Sequence, residues 1–318
     1  MIQMNKKPTF TMMVGLPGSG KSTYAEKIKG AVICSSDAIR EELTGDINSQ
    51  EKNDEVFKLL HKRVKENLRN GNNVIYDACN ISSKRRKAFL DELKHFECEK
   101  ICFVIATPYA ECLKQNQQRD RRVPEDAIRR MYMNWNTPYY FEGWDKIVVC
   151  HKTDEVTTAA EMNKMYMEAL RLVDFDQNSD FHSATLGCHM IETMNNAVSF
   201  MNNVGITGRS AKTIERAAIL HDIGKPFTKT FKNHKGEQSE TAHYYCHENV
   251  GAYDVLAKYK SNADSILKLS VLINLHMHPY NWARTDNPQK AMKKHEELWG
   301  NELFEQVMVL HAADRMAH

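Results

Sequence analysis

The sequence has no apolar run approaching the roughly eighteen residues that a membrane-spanning helix needs. Its first residues show no charged-then-apolar signal pattern. Both absences lead to the expectation of a soluble, cytoplasmic protein. The eight cysteines, at 34, 79, 98, 102, 112, 150, 188 and 246, include no C-x-x-C pair. That argues against a zinc knuckle or a disulfide framework and for free thiols. Charge of one sign is also lacking: the net charge is +2, so no overall basic field announces nucleic acid, though a local basic groove stays open. Internal repeats and low-complexity tracts are absent. What remains is globular, with 42% hydrophobic and 26% charged residues, and 318 residues leave room for two ordinary domains.

Gly15-Leu16-Pro17-Gly18-Ser19-Gly20-Lys21-Ser22 fits G-x-x-x-x-G-K-[ST] at every fixed position. An apolar, β-prone run, Phe10–Val14, precedes it, and a helix-like run from Ser22 to Ile28 follows. Strand, glycine-rich loop and helix form a cradle whose backbone amides point at phosphate oxygens. Gly15, Gly18, Ser19, Gly20, Lys21, Ser22 and Thr23 are therefore the expected ATP-binding residues. Lys21 is set against the outer phosphates, and the Ser22 hydroxyl against Mg²⁺.

Through residue 150 the pattern alternates short β-prone runs with helical ones, which predicts a parallel sheet with flanking helices. The strand Ala31–Cys34 ends at Ser35-Ser36-Asp37, and Asp37 and Arg40 share a helical face. Asp37 is a candidate proton acceptor at a strand's carboxyl end, with Arg40 as an anion clamp. The alternative is a first-turn carboxylate offsetting the helix dipole. A helix is expected over Ile47–Asn70. The next strand, from Asn73, ends in Asp77, a candidate Mg²⁺ contact, and Asn80, a candidate acceptor-orienting group. Lys84-Arg85-Arg86-Lys87 reads as a solvated face. Helices are expected from Pro108 to about Asp120 and from Pro124 to about Trp135. Between them Arg119-Asp120-Arg121-Arg122 is either a phosphate-closing cluster or a charged helix end.

Gly15–Ser22, Ser36-Asp37-x-x-Arg40, Tyr76–Asn80, the arginines before Val123-Pro124-Glu125, and Pro138 … Glu142-Gly143-Trp144-Asp145 together resemble the phage and bacterial polynucleotide 5′-kinases over about residues 8 to 151. The resemblance implies that Asp37 is the general base on a 5′-hydroxyl, that Arg40 grips the acceptor phosphate, and that Arg119 and Arg122 contact the donor phosphates. Related kinases of small molecules, toxins and tRNA-bound seryl groups share the early motifs.

A helix is expected over Thr157–Val173, then a polar break, Asp174–Asp180. Beyond it the periodicity is helical and histidines concentrate. Adjacent His221 and Asp222, ending an apolar helix, offer a nitrogen and an oxygen to a metal. His189, His247, His276 and Asp314 are candidate partners. His243 competes with His247, and His278 with His276. His182, His234, His295, His311 and His318 read as surface or core residues. The ordered H…HD…H…H…D set, with Leu220–Lys225 and His247-Glu248-x-x-Gly251-Ala252, resembles the HD-domain metal phosphohydrolases over about residues 176 to 318. That resemblance implies one metal on His189, His221, Asp222 and Asp314, a second on His247 and His276 with Asp222 bridging, and Lys225 as the phosphate-stabilising group. Mixed nitrogen and oxygen ligands suit one or two of Mn, Fe, Co, Ni or Zn.

The expected architecture is an α/β P-loop kinase domain over 1–175 followed by an all-α HD domain over 176–318. The expected function is bifunctional nucleic-acid end processing. It joins an ATP- and Mg²⁺-dependent 5′-hydroxyl kinase to a metal-dependent phosphoesterase for 3′-phosphate or 2′,3′-cyclic phosphate ends, with RNA or DNA ends and a ligase as partners. The alternatives are a small-molecule or nucleotide kinase fused to a nucleotidase, and a non-catalytic nucleotide-gated switch.

Overall fold

A computed structural model of the protein describes residues 7–119, 121–151, 161–179, 183–259 and 263–317. The chain divides into two compact units, Met1–Tyr132 with Pro138–Asp154, and Met133–Thr137 with Glu155–His318.

The first unit alternates as its sequence predicts: β1 (Thr9–Val14), α1 (Lys21–Lys27), β2 (Ala31–Ser35), α2 (Ser36–Thr44), α3 (Asn53–Arg69), β3 (Asn73–Asp77), α4 (Ser83–Glu92), β4 (Glu99–Ala106), α5 (Tyr109–Gln117), α6 (Glu125–Met133), a 3₁₀ turn at Tyr140–Glu142, and β5 (Lys146–His151). The strands form one parallel sheet in the order β2-β3-β1-β4-β5. The near-continuous apolar run of β1 fits this central place, because helices cover both faces of a parallel sheet. Met13, Ala25, Ile75 and Ile105 pack together beneath the phosphate loop. The chain passes to one side of β1 for β2 and β3 and to the other for β4 and β5. The crevice at the carboxyl end of β1 is thus the topological switch point, where ligands of such sheets bind.

Three expectations shift. The helix expected from Ile47 begins at Asn53, because Gly45 is left-handed (φ 70) and Asp46 turns the chain by accepting from the Asn48 amide at 2.8 Å. The helix expected to about Asp120 ends at Gln117, and Asp120 itself lies outside the described residues. Arg86 is not on a solvated face: its side chain is buried against Glu142 at 2.6 Å.

The second unit is helical: α7 (Glu161–Leu170), α8 (Leu186–Val204), α9 (Gly208–Leu220), α10 (Lys225–Thr228), then a hairpin of β6 (Thr230–Lys232) and β7 (Gln238–His243), then α11 (His247–Lys258), α12 (Ala263–Leu275), α13 (His278–Trp282), α14 (Pro288–Trp299) and α15 (Asn301–Met316). The antiparallel hairpin is an addition to the helical reading. The start of the helix expected from Thr157 lies outside the described residues, as do Asp180, His182 and His318.

The boundary expected at 175 falls inside this unit. Leu186 and Gly187 donate amide hydrogen bonds to Phe175 and Leu172 at 2.9 and 2.8 Å, which fastens the end of the α7 segment to α8. Met133–Thr137 also belongs here. Trp135 is fully buried with its ring edge-on to Tyr253 at 4.9 Å, and Asn274 accepts from the Thr137 amide at 3.1 Å. No helix among the described residues is long and apolar enough to cross a membrane.

Candidate functional site

The phosphate loop joins β1 to α1. Gly15 donates its amide to the Cys79 carbonyl at 3.0 Å, binding the loop to the end of β3. Gly18 sits at φ 79, and a Cβ there would come within 2.2 Å of the Cys112 carbonyl oxygen, so α5 packs directly on the loop. Gly20, at φ 97, caps α1. The Ser19 hydroxyl is buried with no hydrogen-bond partner among the described residues, and its carbonyl accepts from Thr107 at 2.9 Å. Lys21 is buried and folds its Nζ back to the Leu16 carbonyl at 2.8 Å, inside the loop's own curve. Thr23 is exposed on α1.

Ser22 and Asp77 come together: the Ser22 hydroxyl donates to Asp77 Oδ2 at 2.9 Å. A hydroxyl and a carboxylate so paired at the phosphate loop suit a hard cation such as Mg²⁺. Asn80 is left-handed (φ 51) and gives its amide to the Met13 carbonyl at 2.8 Å, so it braces the exits of β3 and β1.

Asp37 occupies the first turn of α2, where Ser35 caps the helix by accepting from the Asp37 amide at 3.3 Å. Two guanidinium groups converge on its carboxylate. Arg40 donates to Oδ1 at 2.9 Å, with its other nitrogen on Asn53 Oδ1 at 3.0 Å, and Arg121 pairs with Oδ2. Burial lowers the pKa of both Arg40 and Arg121. Arg119 and Arg122, the two arginines carried over from the kinase resemblance, are exposed. Arg121, their neighbour, is the one that reaches Asp37. Asn116 holds the base of this segment: it is buried, and its amide makes reciprocal bonds with the Val123 backbone at 2.8 and 2.9 Å.

The second unit gathers its expected residues in one buried cluster. His189 comes from α8, His221 and Asp222 from the end of α9, His247 from the start of α11, His276 from the end of α12 and Asp314 from α15. Two groups of ligand atoms form, His189–His221–Asp314 and Asp222–His247–His276. Asp222 spans them: Oδ2 lies 3.2 Å from His221 and Oδ1 lies 3.1 Å from His247. His243 and His278 stay out. His243 stacks on Tyr245, and His278 packs against His295 and Trp299.

The histidine rings test whether a metal fits. Each Nδ1 faces a backbone carbonyl: Ala317 for His189 at 3.2 Å, Ala218 for His221 at 2.9 Å, Tyr244 for His247 at 2.7 Å and Ile273 for His276 at 2.7 Å. A carbonyl facing Nδ1 fits a protonated Nδ1, so each ring, when neutral, presents its Nε2 lone pair to the cluster. Yet the His189 and His221 Nε2 atoms are 3.2 Å apart, and so are those of His247 and His276. Two such nitrogens at this distance in a dry interior need positive charge between them, either a proton or a metal ion. The donor set of four nitrogens and two carboxylates is therefore built for cations.

The two carboxylates favour positive charge at this centre. Burial works against charging His221, and the Asp222 and Asp314 carboxylates reverse this, taking it up to about 10. Burial, with positive charge on His247 and His221, pushes His276 down to about 3. Asp222 is buried, and His221 and Lys225 hold it well below the usual carboxylate range.

Two partners had no signal in the sequence. Lys225 is held at 2.6 Å from Asp222 Oδ2 by Gln177, whose Oε1 accepts from it at 2.8 Å. Gln177 sits in the polar break and is 1% exposed. Tyr280 donates to Asp314 Oδ2 at 2.9 Å. Gly224 has no room for a side chain, since a Cβ would fall 2.2 Å from the His247 carbonyl oxygen. The HD turn and the start of α11 therefore touch backbone to backbone.

A family model described as an AAA domain matches residues 10–138, and one described as an HD domain matches residues 186–318. The chain carries a P-loop kinase domain followed by an HD domain. The kinase domain implies ATP and a divalent metal, and the HD domain implies metal binding. Among curated proteins, the chain is similar to an L-seryl-tRNA(Sec) kinase of Methanococcus maripaludis, 24% identical over 71% of this chain and 91% of that protein. It is also similar to the transcription factor bHLH140 of Arabidopsis thaliana, 26% identical over 50% of this chain and 18% of that protein. Among solved structures, one described as the Pnkp1/Rnl/Hen1 RNA repair complex matches at a TM-score of 0.36 and 24% identity, covering 42% of this chain and 45% of that one.

Proposed function

We propose that the protein is a bifunctional nucleic-acid end-processing enzyme. Its kinase domain transfers the γ-phosphate of ATP to a 5′-hydroxyl, and its HD domain hydrolyses a 3′-phosphate or a 2′,3′-cyclic phosphate. The observation that carries the kinase half is the Asp37 carboxylate between Arg40 and Arg121. A general base flanked by two guanidinium groups suits an acceptor whose hydroxyl lies beside a phosphodiester, because that anion replaces the carboxylate as their partner. Lys21 and the amides of Gly18 and Gly20 hold the donor phosphates, the Gly15 and Ser19 amides fix the loop's curve through the Cys79 and Leu16 carbonyls, Ser22 and Asp77 hold the Mg²⁺, and Arg119 and Arg122 lie in the segment after α5. Asn80 fixes the exit of β3 beside the acceptor.

In the HD half, His189, His221 and Asp314 would hold one metal and His247 and His276 a second, with Asp222 reaching both groups. Bound metals supply Lewis acidity and acidify a water. Lys225, fixed by Gln177, places a cation beside Asp222 to meet phosphate charge.

The test is phosphate transfer from labelled ATP to a 5′-hydroxyl RNA oligonucleotide with Mg²⁺, beside Asp37→Ala. We expect transfer by the natural protein and a loss of about 10²–10⁴-fold in the variant, with ATP binding kept. Unchanged turnover in the variant would remove Asp37 from the role of base. A second reading has one observation in its favour: the alignment with a protein named for seryl-tRNA phosphorylation runs over 91% of that protein. Transfer to seryl-tRNA or to a nucleoside, and none to the oligonucleotide, would replace the leading reading with that one.

A further inference from the structure

The β6–β7 hairpin is inserted in sequence between two members of one ligand group, Asp222 and His247. It follows α10, the helix that begins at Lys225 and ends at Thr228, and returns through His243-Tyr244-Tyr245-Cys246 directly into His247. Tyr244 faces inward: its ring lies 5.4 Å from Lys225 Nζ, its hydroxyl donates to the Gln177 carbonyl, and its own carbonyl accepts from His247. Tyr245 does the opposite. It is 40% exposed and lies flat on His243, with ring centroids 5.4 Å apart and planes 14° apart. His243 in turn has its Nε2 buried with no hydrogen-bond partner among the described residues. His243 is thus outside both ligand groups, although its sequence spacing from His247 suited a ligand, and Tyr245 keeps an exposed ring.

We propose that Tyr245, backed by His243, is a nucleobase-stacking subsite of the HD centre, taking the base of the nucleotide that carries the scissile phosphate. An aromatic face stacks on any base and discriminates little among them, which suits an enzyme that works on ends of any sequence. Two residues of extended chain reach at most about 7 Å, so the Tyr245 backbone lies within about one nucleotide of the His247 ligand. His243 holds the ring in one orientation, which lowers the entropy cost of stacking on it. Lys225 and the metals would meet the phosphate while Tyr245 meets its base. The HD centre then selects a phosphate attached to a nucleotide over a bare phosphate ester. This inference rests on the phosphoesterase reading given above.

The experiment uses the full chain with Mn²⁺ and two RNA oligonucleotides. They share sequence and phosphorylated 3′ end, either 3′-phosphate or 2′,3′-cyclic, but one lacks the base on its terminal sugar. For the natural protein, removing the base should raise KM about tenfold, the loss of one base–aromatic stack. Tyr245→Ala should raise KM by the same factor on the intact oligonucleotide and leave the abasic one unchanged. Tyr245→Trp should restore the difference, which shows that the alanine variant is folded and lacks only the ring. Equal KM for the two oligonucleotides with the natural protein would overturn the inference alone. So would a base effect that survives in Tyr245→Ala. Cleavage of neither oligonucleotide by the metal-loaded natural protein would overturn the phosphoesterase reading, and the inference with it.

Discussion

Replacing Glu142 by Gln should destabilise the kinase unit by about 4 kcal/mol. Arg86 and Glu142 have side chains with no solvent exposure. The Glu142 carboxylate accepts from Arg86 Nε at 2.8 Å, from a second Arg86 nitrogen at 2.6 Å and from the Trp144 indole at 2.9 Å. The remaining Arg86 nitrogen donates to the Asn80 carbonyl at 2.8 Å. Glutamine keeps the shape but removes the negative charge and one acceptor oxygen, so the guanidinium stays buried without its counter-ion. Breaking a buried pair from one side costs about 3–5 kcal/mol, roughly a thousandfold in the folded population. The assay is urea unfolding of the full chain followed by Trp144 fluorescence. Of the four tryptophans, Trp144 is the one in the first unit, and it touches the altered group. Since Arg86 also anchors Asn80, kinase turnover should fall with stability. A cost below about 1 kcal/mol would refute the reasoning. So would a double variant, Arg86→Met with Glu142→Leu, no more stable than Glu142→Gln, because a well-packed apolar pair removes the uncompensated charge.

Gly224→Ala should strip metal from the second site, because the new Cβ meets the His247 carbonyl at 2.2 Å and drives α11 away from Asp222. Metal analysis of the purified variant checks this, and a full complement of metal would contradict it. Chelation should lower the unfolding temperature of the HD unit, since the 3.2 Å Nε2 contacts lose the charge between them. With metal at a thousandfold above its Kd the difference is about 4 kcal/mol, and it should return on adding metal back. A melting curve indifferent to chelator would refute the cation requirement.

The parts that chemistry forces into fixed sequence spacing were legible. The phosphate loop is local, so its glycines, Lys21 and Ser22 could be read from one stretch. The HD cluster could be read because the His221–Asp222 dyad is adjacent in sequence and its partners follow in order. The ordered set already favours His276 over His278, and the geometric reason lies in the fold, where the end of α12 places His276 Nε2 3.8 Å from Asp222. The charge run Lys84–Lys87 was misleading for a geometric reason. Successive helical residues point about 100° apart, so one of four neighbours can face the core while the others meet water. Arg86 is that one, and its partner Glu142 lies 56 positions away, beyond any local pattern. Gln177 was hidden similarly: a glutamine in a polar break carries no signal until Lys225 is seen to need an acceptor. Which of three clustered arginines reaches Asp37 depends on how the segment after α5 is tied down by Asn116, again a tertiary fact.

Met133–Thr137 has a practical consequence for dissecting the protein. Order along the chain and grouping in space do not coincide, so no single cut separates the two activities. A fragment ending at 175 would keep Trp135 but lose Tyr253 and Asn274, and would keep α7 but lose α8. It would carry a bare indole and an uncovered helix face into solution and would tend to aggregate. Each activity is better silenced in place, by single substitutions in an otherwise intact chain, than isolated by truncation.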